Sequence, residues 1–204
     1  MSRYTGSINR KSRRLHFSIK ENNKEFLKGK KREYIPGQHG PTSHNKLSGY
    51  GQQLVEKQKL AFMYGLNDRQ FQRLFKIAKK MQGSTSLNLL IALESRLDNL
   101  VYRMNFAPTR RAARQLVNHK HILVNGKKCD IPSMLIKVGD EISVKEKSHK
   151  LPLVKANLDN DTVKFVKVDK NKFSGKFTRF PERHELSQEI NETYVVEWFS
   201  RIVK

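Results

Sequence analysis

The dipeptide Asn125-Gly126, set directly after Ile122, Leu123 and Val124, constrains this chain more than any other feature. Both residues tolerate positive φ, which a two-residue hairpin turn requires if its twist is to match the strands it joins. A short apolar run ending in such a turn is a strand that folds back, and Lys127 and Lys128 begin the return. A second turn at Gly139-Asp140 precedes Ile142 and Val144, whose alternation predicts another half-buried strand. Farther on, Val163, Phe165, Phe173 and Phe177 alternate with polar neighbours and read as a further hairpin.

Upstream of the hairpin the apolar period is helical. Leu54, Val55, Ala61 and Phe62 are expected to share the buried face of a helix that Gly65 ends. A second helix is capped by Asn67 or Asp68, carries Phe71, Leu74, Phe75, Ala78 and Met81 as its apolar stripe, and is closed by Gly83. A third starts at Thr85 or Ser86 and buries Leu89, Leu90, Leu93, Leu97, Leu100 and Val101, leaving Arg96 and Arg103 facing elsewhere. Pro108 and Thr109 then restart the chain as a short helix. Its Ala113, Leu116 and Val117 pack inward, while Arg110, Arg111 and Arg114 share the outer side. The fold class is therefore α+β, with a helical N-terminal domain, then two short helices on a small antiparallel sheet, then a β-rich C-terminal extension. The divisions fall at 1–46, a basic arm; 47–88, helical; 89–150, helices and sheet; and 151–204, the extension. The arm has no sustained helical or strand period and is expected to be extended or loosely helical, and disordered on its own.

Lys and Arg number 41 against 19 Asp and Glu, a net charge of +22 that gathers polyanions. The four stretches carry +9, +5, +6 and +2 in chain order, so the charge sits upstream. Polyanion here means nucleic acid or an anionic membrane. The longest apolar run, Leu89 to Leu93, is far too short to span a bilayer. The opening MSRYTGSINRKSRR lacks the apolar core of a secretory signal; its Arg and Ser content fits an organelle transit peptide, but the arginines find a better use below. Cys129 is the only cysteine. That rules out an internal disulfide and a cysteine-caged zinc, and a reducing cytoplasm fits best.

The strongest chemical constellation is Thr109-Arg110-Arg111-Ala112-Ala113-Arg114-Gln115, since guanidiniums on one short helix fork onto successive phosphate oxygens. The alternative is a solvated basic face; the adjacent hairpin with Lys127 and Lys128 favours RNA contact. Motifs that resemble catalysis fail on inspection. Gly49-Tyr50-Gly51 has Leu54 where a dinucleotide fingerprint needs its third glycine, and Ser174-Gly175-Lys176 has Phe177 where a phosphate loop needs Ser or Thr. His119 and His121 lack a nearby thiol or carboxylate to complete a metal site.

The run ESRLDNLVYRMNFAPTRRAARQLVNHKHILVNGKKCDIPS, residues 94–133, closely resembles the RNA-binding module named after the fourth protein of the small ribosomal subunit. That module also occurs in pseudouridine synthases, some aminoacyl-tRNA synthetases and stress proteins. The flanks resemble the ribosomal family itself in its bacterial or organellar form: SRYTG at 2–6, Ser12-Arg13-Arg14, PGQHG at 36–40, LSGYGQQLVEKQKLAFMYGLNDRQF at 47–71 and PERHELSQEINE at 181–192. No residues remain for a catalytic domain, so no enzyme is expected.

The resemblance implies a structural protein that binds the five-way junction of the small-subunit rRNA 5′ domain early in assembly, in the cytoplasm or in an organelle. The contacts it implies are Arg3, Tyr4, Arg13 and Arg14 in the arm; Gln38, His39 and Lys46 around PGQHG; and Arg96, Arg103, Thr109, Arg110, Arg111, Arg114, Gln115, Asn125, Lys127 and Lys128 in the module. A-form grooves hide base edges, so these contacts go to phosphates, 2′-hydroxyls and loop bases. The resemblance also implies protein partners: small-subunit protein five at Tyr50, Gln53, Glu185, Glu189 and Glu197, where the contact bears on decoding accuracy, and protein three near incoming mRNA. Two departures from the family matter. The arm lacks the cysteines with which some members hold zinc, so neither metal nor other cofactor is expected. After PGQHG this chain has only Lys46 where relatives place several basic residues, which weakens any grip on mRNA. Repression of its own mRNA, a role of some ribosomal proteins, would use the same surface.

Overall fold

The computed structural model describes residues 4–21, 26, 34–43, 46–155, 157–158 and 160–202. The chain forms two compact units, one of Met1–Ser86 with Ser187–Lys204, the other of Leu87–Leu186. Of the stretch 151–204, the hairpin with Glu182 and Glu185 falls in the second unit, and Glu189, Glu192 and Glu197 fall in the first.

The first unit is helical: α1 (Ile8–Leu15), α2 (Gly49–Met63), α3 (Asp68–Lys80) and the C-terminal α8 (Glu192–Ile202). Asn67 caps α3 with a reciprocal capping box, its side chain accepting from Gln70 N while the Gln70 side chain accepts from Asn67 N. Phe71, Leu74, Phe75 and Ala78 are buried as the period predicts, but Met81 is exposed. Phe199 of α8 packs on Phe71 and Phe75, with ring centroids 4.8 and 5.2 Å away.

Helix α2 buries a different face from the expected one. Leu54, Val55, Ala61 and Phe62 are only partly covered, whereas Gln53, Glu56, Lys57, Leu60 and Met63 are buried. The reason is that α8 and its approach satisfy polar side chains. Gln53 Nε2 donates to Glu197 Oε2 at 2.6 Å, the Glu56 carboxylate accepts from Asn191 N at 3.0 Å and from Lys59 at 2.6 Å, and Lys57 lies over the Trp198 ring while pairing with Asp68. Burial of such groups is tolerable because each side chain makes a polar contact, although the Gln53 Oε1 is buried without a hydrogen-bond partner among the described residues.

The arm, expected to be extended or loosely helical, contains one defined helix. Residues 8–15 are helical, His16 ends the helix in the left-handed region, and Leu15, Phe17 and Ile19 are buried. Three apolar residues spaced by two, straddling a helix end, leave no single period to read.

The second unit is built on α4 (Thr85–Glu94), α5 (Leu97–Arg103), α6 (Arg110–Asn118) and the short α7 (Pro152–Lys155), with β1 (Ile122–Val124), β2 (Lys127–Cys129), β3 (Glu141–Val144), β4 (Val166–Asp169) and β5 (Ser174–Phe177). The strands form one antiparallel sheet in the order β2-β1-β3-β5-β4. Asn125 and Gly126 have φ of 50° and 75°, and the register pairs Val124 with Lys127, so the predicted two-residue turn is present. The core joins Leu97, Leu100, Val101, Met104 and Phe106 to Leu116, Val117, Ile122, Ile142, Phe165 and Phe177.

The single third helix expected from the apolar period is broken into α4 and α5. At Arg96 the backbone is extended and bridges to Leu135; Leu97 N and Asp98 N donate to Met134 and Pro132 carbonyls, and Ile136 N donates to Ser95 O. The segment 132–136 thus takes the orphan N–H groups of a new helix start, which no local pattern announces.

Candidate nucleic-acid interface

The break at Ser95-Arg96 brings two carboxylates under the arginine-rich helix. Glu94 is fully buried, and its carboxylate is gripped by Arg103 through two parallel bonds of 2.9 and 2.8 Å. Asn99 Nδ2 donates to the same carboxylate at 2.7 Å, and Asn99 Oδ1 accepts from Arg110 Nε at 2.7 Å, so one amide couples α5 to α6. Arg110 Nη2 lies 4.0 Å from Glu94. The guanidiniums of Arg103 and Arg110 also lie 5.8 and 4.6 Å from the Tyr102 ring centre. Beside this set, Asp98 takes two bonds from Arg96, at 3.1 and 2.7 Å, and sits 3.9 Å from Arg114. Two carboxylates face four arginines, so the cluster keeps net positive charge while its forks are held in place.

This geometry sorts the expected contacts. Arg96 is 2 % exposed, with its fork on Asp98. Arg103 and Arg110 present little surface, at 12 and 10 % side-chain exposure, and Arg114 more, at 24 %. Arg110, Arg111 and Arg114 do not form one outer face. Positions 110 and 114 are one turn apart and turn toward the carboxylates, while Arg111 and Gln115 are exposed. Thr109 serves as N-cap of α6, its Oγ1 accepting from Ala112 N at 3.2 Å. Lys127 and Lys128 are exposed on β2.

Asn125 is tied into the hairpin base. Its Nδ2 donates to Asp140 Oδ1 and its Oδ1 accepts from Glu141 N, both at 2.9 Å. That bond from Asn125, with one from Lys137 N, holds the Asp140 carboxyl below the usual aspartate range.

In the first unit, Tyr4 packs edge-on against Phe62, with Lys11 over both rings, and its hydroxyl donates to Ser7 O. Arg14 is exposed and Arg13 partly so; Arg3 lies outside the described residues. Gln38, His39 and Lys46 are exposed. The turn that presents Gln38 and His39 depends on Gly40, where a Cβ would collide with the Ile35 carbonyl oxygen. Of the expected protein contacts, Tyr50, Glu189 and Glu197 are exposed. Two are not. Gln53 is buried against Glu197, and the Glu185 side chain is 8 % exposed, held by Arg179 and accepting from Glu182 N. The Arg179 guanidinium keeps the Glu185 carboxyl below its ordinary value.

Among the described residues no group of three or more His, Cys, Asp or Glu side chains is placed to hold a metal ion, and no helix is long and apolar enough to cross a membrane. Sequence reasoning missed Glu94, Asp98 and Asn99, the groups that order the arginines. The signal available was their i, i+4 and i, i+5 spacing within 94–103, which becomes meaningful only once the helix is known to break.

Comparison with known proteins fits this arrangement. Residues 3–94 match the Ribosomal protein S4/S9 N-terminal domain, and residues 95–142, which hold the arginine cluster and hairpin, match the S4 domain. The chain is 63 % identical over 203 residues to the small ribosomal subunit protein uS4 of Malacoplasma penetrans, with all of both chains covered. It is 60 % identical over 207 residues to that of Mycoplasmoides gallisepticum, again with full coverage, and 54 % identical over 204 residues to that of Mycoplasma genitalium, covering 99 % of this chain and all of the relative. The chain therefore belongs to the uS4 family of small ribosomal subunit proteins.

Proposed function

We propose that the chain is a structural, non-enzymatic constituent of the small ribosomal subunit that holds rRNA through the α6 and β1–β2 surface. The observation that carries this is the exposed basic surface of Arg111, Gln115, Lys127 and Lys128, with Arg114 partly exposed beside it, and with α6 held in place from beneath by Glu94, Asp98 and Asn99 through Arg103, Arg96 and Arg110. Guanidinium and ammonium groups presented from such a fixed base suit phosphate oxygens. The target that family membership favours is the helical junction of the 5′ domain, bound early in assembly, with the arm residues Tyr4, Arg13, Arg14, Gln38, His39 and Lys46 as further contacts. Bacterial cytoplasm is the matching location.

The test is binding to a 5′-domain rRNA fragment across a salt series. The triple variant Arg111→Ala/Lys127→Ala/Lys128→Ala is expected to flatten the slope of log affinity against log salt by about 0.7–0.9 for each phosphate it no longer neutralises. Equal binding of wild type and variant, or equal binding to arbitrary RNA, overturns the assignment.

A second role rests on Tyr50, 58 % exposed although its ring tilts onto Trp198, and on the exposed Glu189 and Glu197. An exposed aromatic beside acidic side chains suits a protein partner better than phosphate, and small-subunit protein five is the one proposed, with an effect on decoding accuracy. Because Glu197 also accepts from Gln53, the cleaner variant is Glu189→Lys. A changed misreading rate supports the contact, and an unchanged rate speaks against it.

A further inference from the structure

The second unit carries a basic surface that the arginine helix does not account for. In the antiparallel register Lys167 of β4 stands opposite Lys176 of β5, and Glu141 of β3 stands opposite Lys176, so all three share one row on the open face of the sheet. All three side chains are exposed. Lys164, Lys170 and Lys172 are exposed around the same hairpin. Of the local carboxylates, Glu141 lies in the row beside Lys176 but forms no ion pair with it, and Asp169 is occupied with the turn, its Oδ1 accepting from Asn171 N at 3.0 Å and Lys172 N at 3.3 Å. Among the described residues none of the five lysines is in an ion pair.

Like charges placed directly across a strand pair destabilise it. Lysine on an edge strand is commonly a guard against strand-to-strand aggregation, which would explain Lys167. It does not explain Lys176, because β5 is an interior strand between β3 and β4, and although Glu141 stands across from Lys176 the two form no ion pair that would tie the lysine up within the sheet. A protein partner is disfavoured too. Lysine is depleted in protein–protein interfaces, which rely on aromatic anchors. Here the nearby apolar side chains, Val168 and Phe173, are packed against the core instead of offered outward.

We infer that the open face of the β4–β5 hairpin is a second phosphate-binding surface that takes the sugar-phosphate backbone of RNA through Lys167 and Lys176. The inference rests on the RNA-binding reading and enlarges its footprint beyond the S4 domain match, which ends at residue 142. Bound phosphate relieves the Lys167–Lys176 repulsion, so these lysines weaken the free protein and strengthen the complex.

The experiment uses full-length protein and the 5′-domain rRNA fragment across a salt series, comparing wild type with Lys167→Gln/Lys176→Gln. The expected result is a slope flatter by about 0.7–0.9 for each lysine that meets a phosphate, together with a melting temperature of the free variant equal to or above wild type. An unchanged slope overturns the proposal, and an unchanged slope with increased aggregation of the variant assigns the lysines to edge protection. Loss of poly-glutamate binding with RNA binding intact also overturns it, in favour of an acidic protein partner. Tight wild-type binding with an unaffected variant leaves the first RNA surface standing and removes only this one. Absent wild-type binding removes both.

Discussion

Glu94 determines how the arginines of this chain are presented. A fully buried carboxylate survives in a protein interior only with strong partners, and here it has two bonds from Arg103 and one from Asn99. Removing one member of such a set leaves buried charge uncompensated, at a cost of about 3–5 kcal/mol. Glu94→Ala is therefore expected to lower the urea midpoint sharply, whereas Arg111→Ala, at an exposed position, is expected to stay within about 0.5 kcal/mol of wild type. Comparable destabilisation by the two variants would mean that Glu94 is not the organising group. The residue-level picture was half legible from sequence. The count of arginines in 96–114 and their chemistry were plain, and the exposure of Arg111, Lys127 and Lys128 follows from periodicity. Which arginines turn inward was not, because Arg96, Arg103 and Arg110 are distinguished only by carboxylates that tertiary packing brings beneath them.

At the scale of elements, segments with strong local signals matched their patterns. The capping box fixed the start of α3, Thr109 fixed that of α6, and Asn125-Gly126 fixed the β1–β2 turn. Where the deciding partner lay far along the chain, the pattern misled. The α4–α5 break is set by carbonyls of 132–136, and the buried face of α2 is set by α8, more than 130 residues away. The hairpin offers a test in which turn and ionisation are coupled. Asn125 sits at φ 50° and bridges to Asp140 and Glu141. Asn125→Ala puts an ordinary residue in the left-handed region and removes both bonds, so a loss of about 2 kcal/mol is expected near neutral pH. The Asp140 pKa is lowered in the folded state, chiefly by the Asn125 bond. Its contribution is thus present above the ordinary value of 3.8 and is lost as pH falls through the lower folded value. The stability gap between wild type and Asn125→Ala is accordingly expected to narrow in urea titrations below about pH 4. A gap that holds constant down to about pH 3 would show that Asp140 draws no stability from Asn125.

For the whole molecule the governing quantity is the net charge of +22. Two opposing electrostatic terms act on the free protein. Ion pairs such as Lys120–Asp130, at 3.5 Å with both side chains about half exposed, stabilise weakly, by about 0–1 kcal/mol each. Repulsion among the excess cations destabilises the compact state. Added salt weakens both, since the screening length falls from about 30 Å at 0.01 M to about 10 Å at 0.1 M. Cations exceed anions by more than two to one, and the opposed lysines of the β4–β5 hairpin add local repulsion, so the repulsive term dominates. The melting temperature of the free protein is expected to rise between about 0.01 and 0.3 M salt. RNA binding moves the other way, because displaced counterions must be returned as salt increases. Ligand binding to the folded state raises the melting temperature in proportion to the logarithm of concentration over Kd. The stabilisation given by a fixed amount of rRNA fragment is therefore greatest at low salt and fades as the free protein's own stability grows. Thermal melts with and without the fragment across one salt series measure both trends at once. A free protein that melts lower as salt increases would mean that its ion pairs outweigh its repulsion, and that the basic surface is already neutralised within the fold instead of awaiting phosphate.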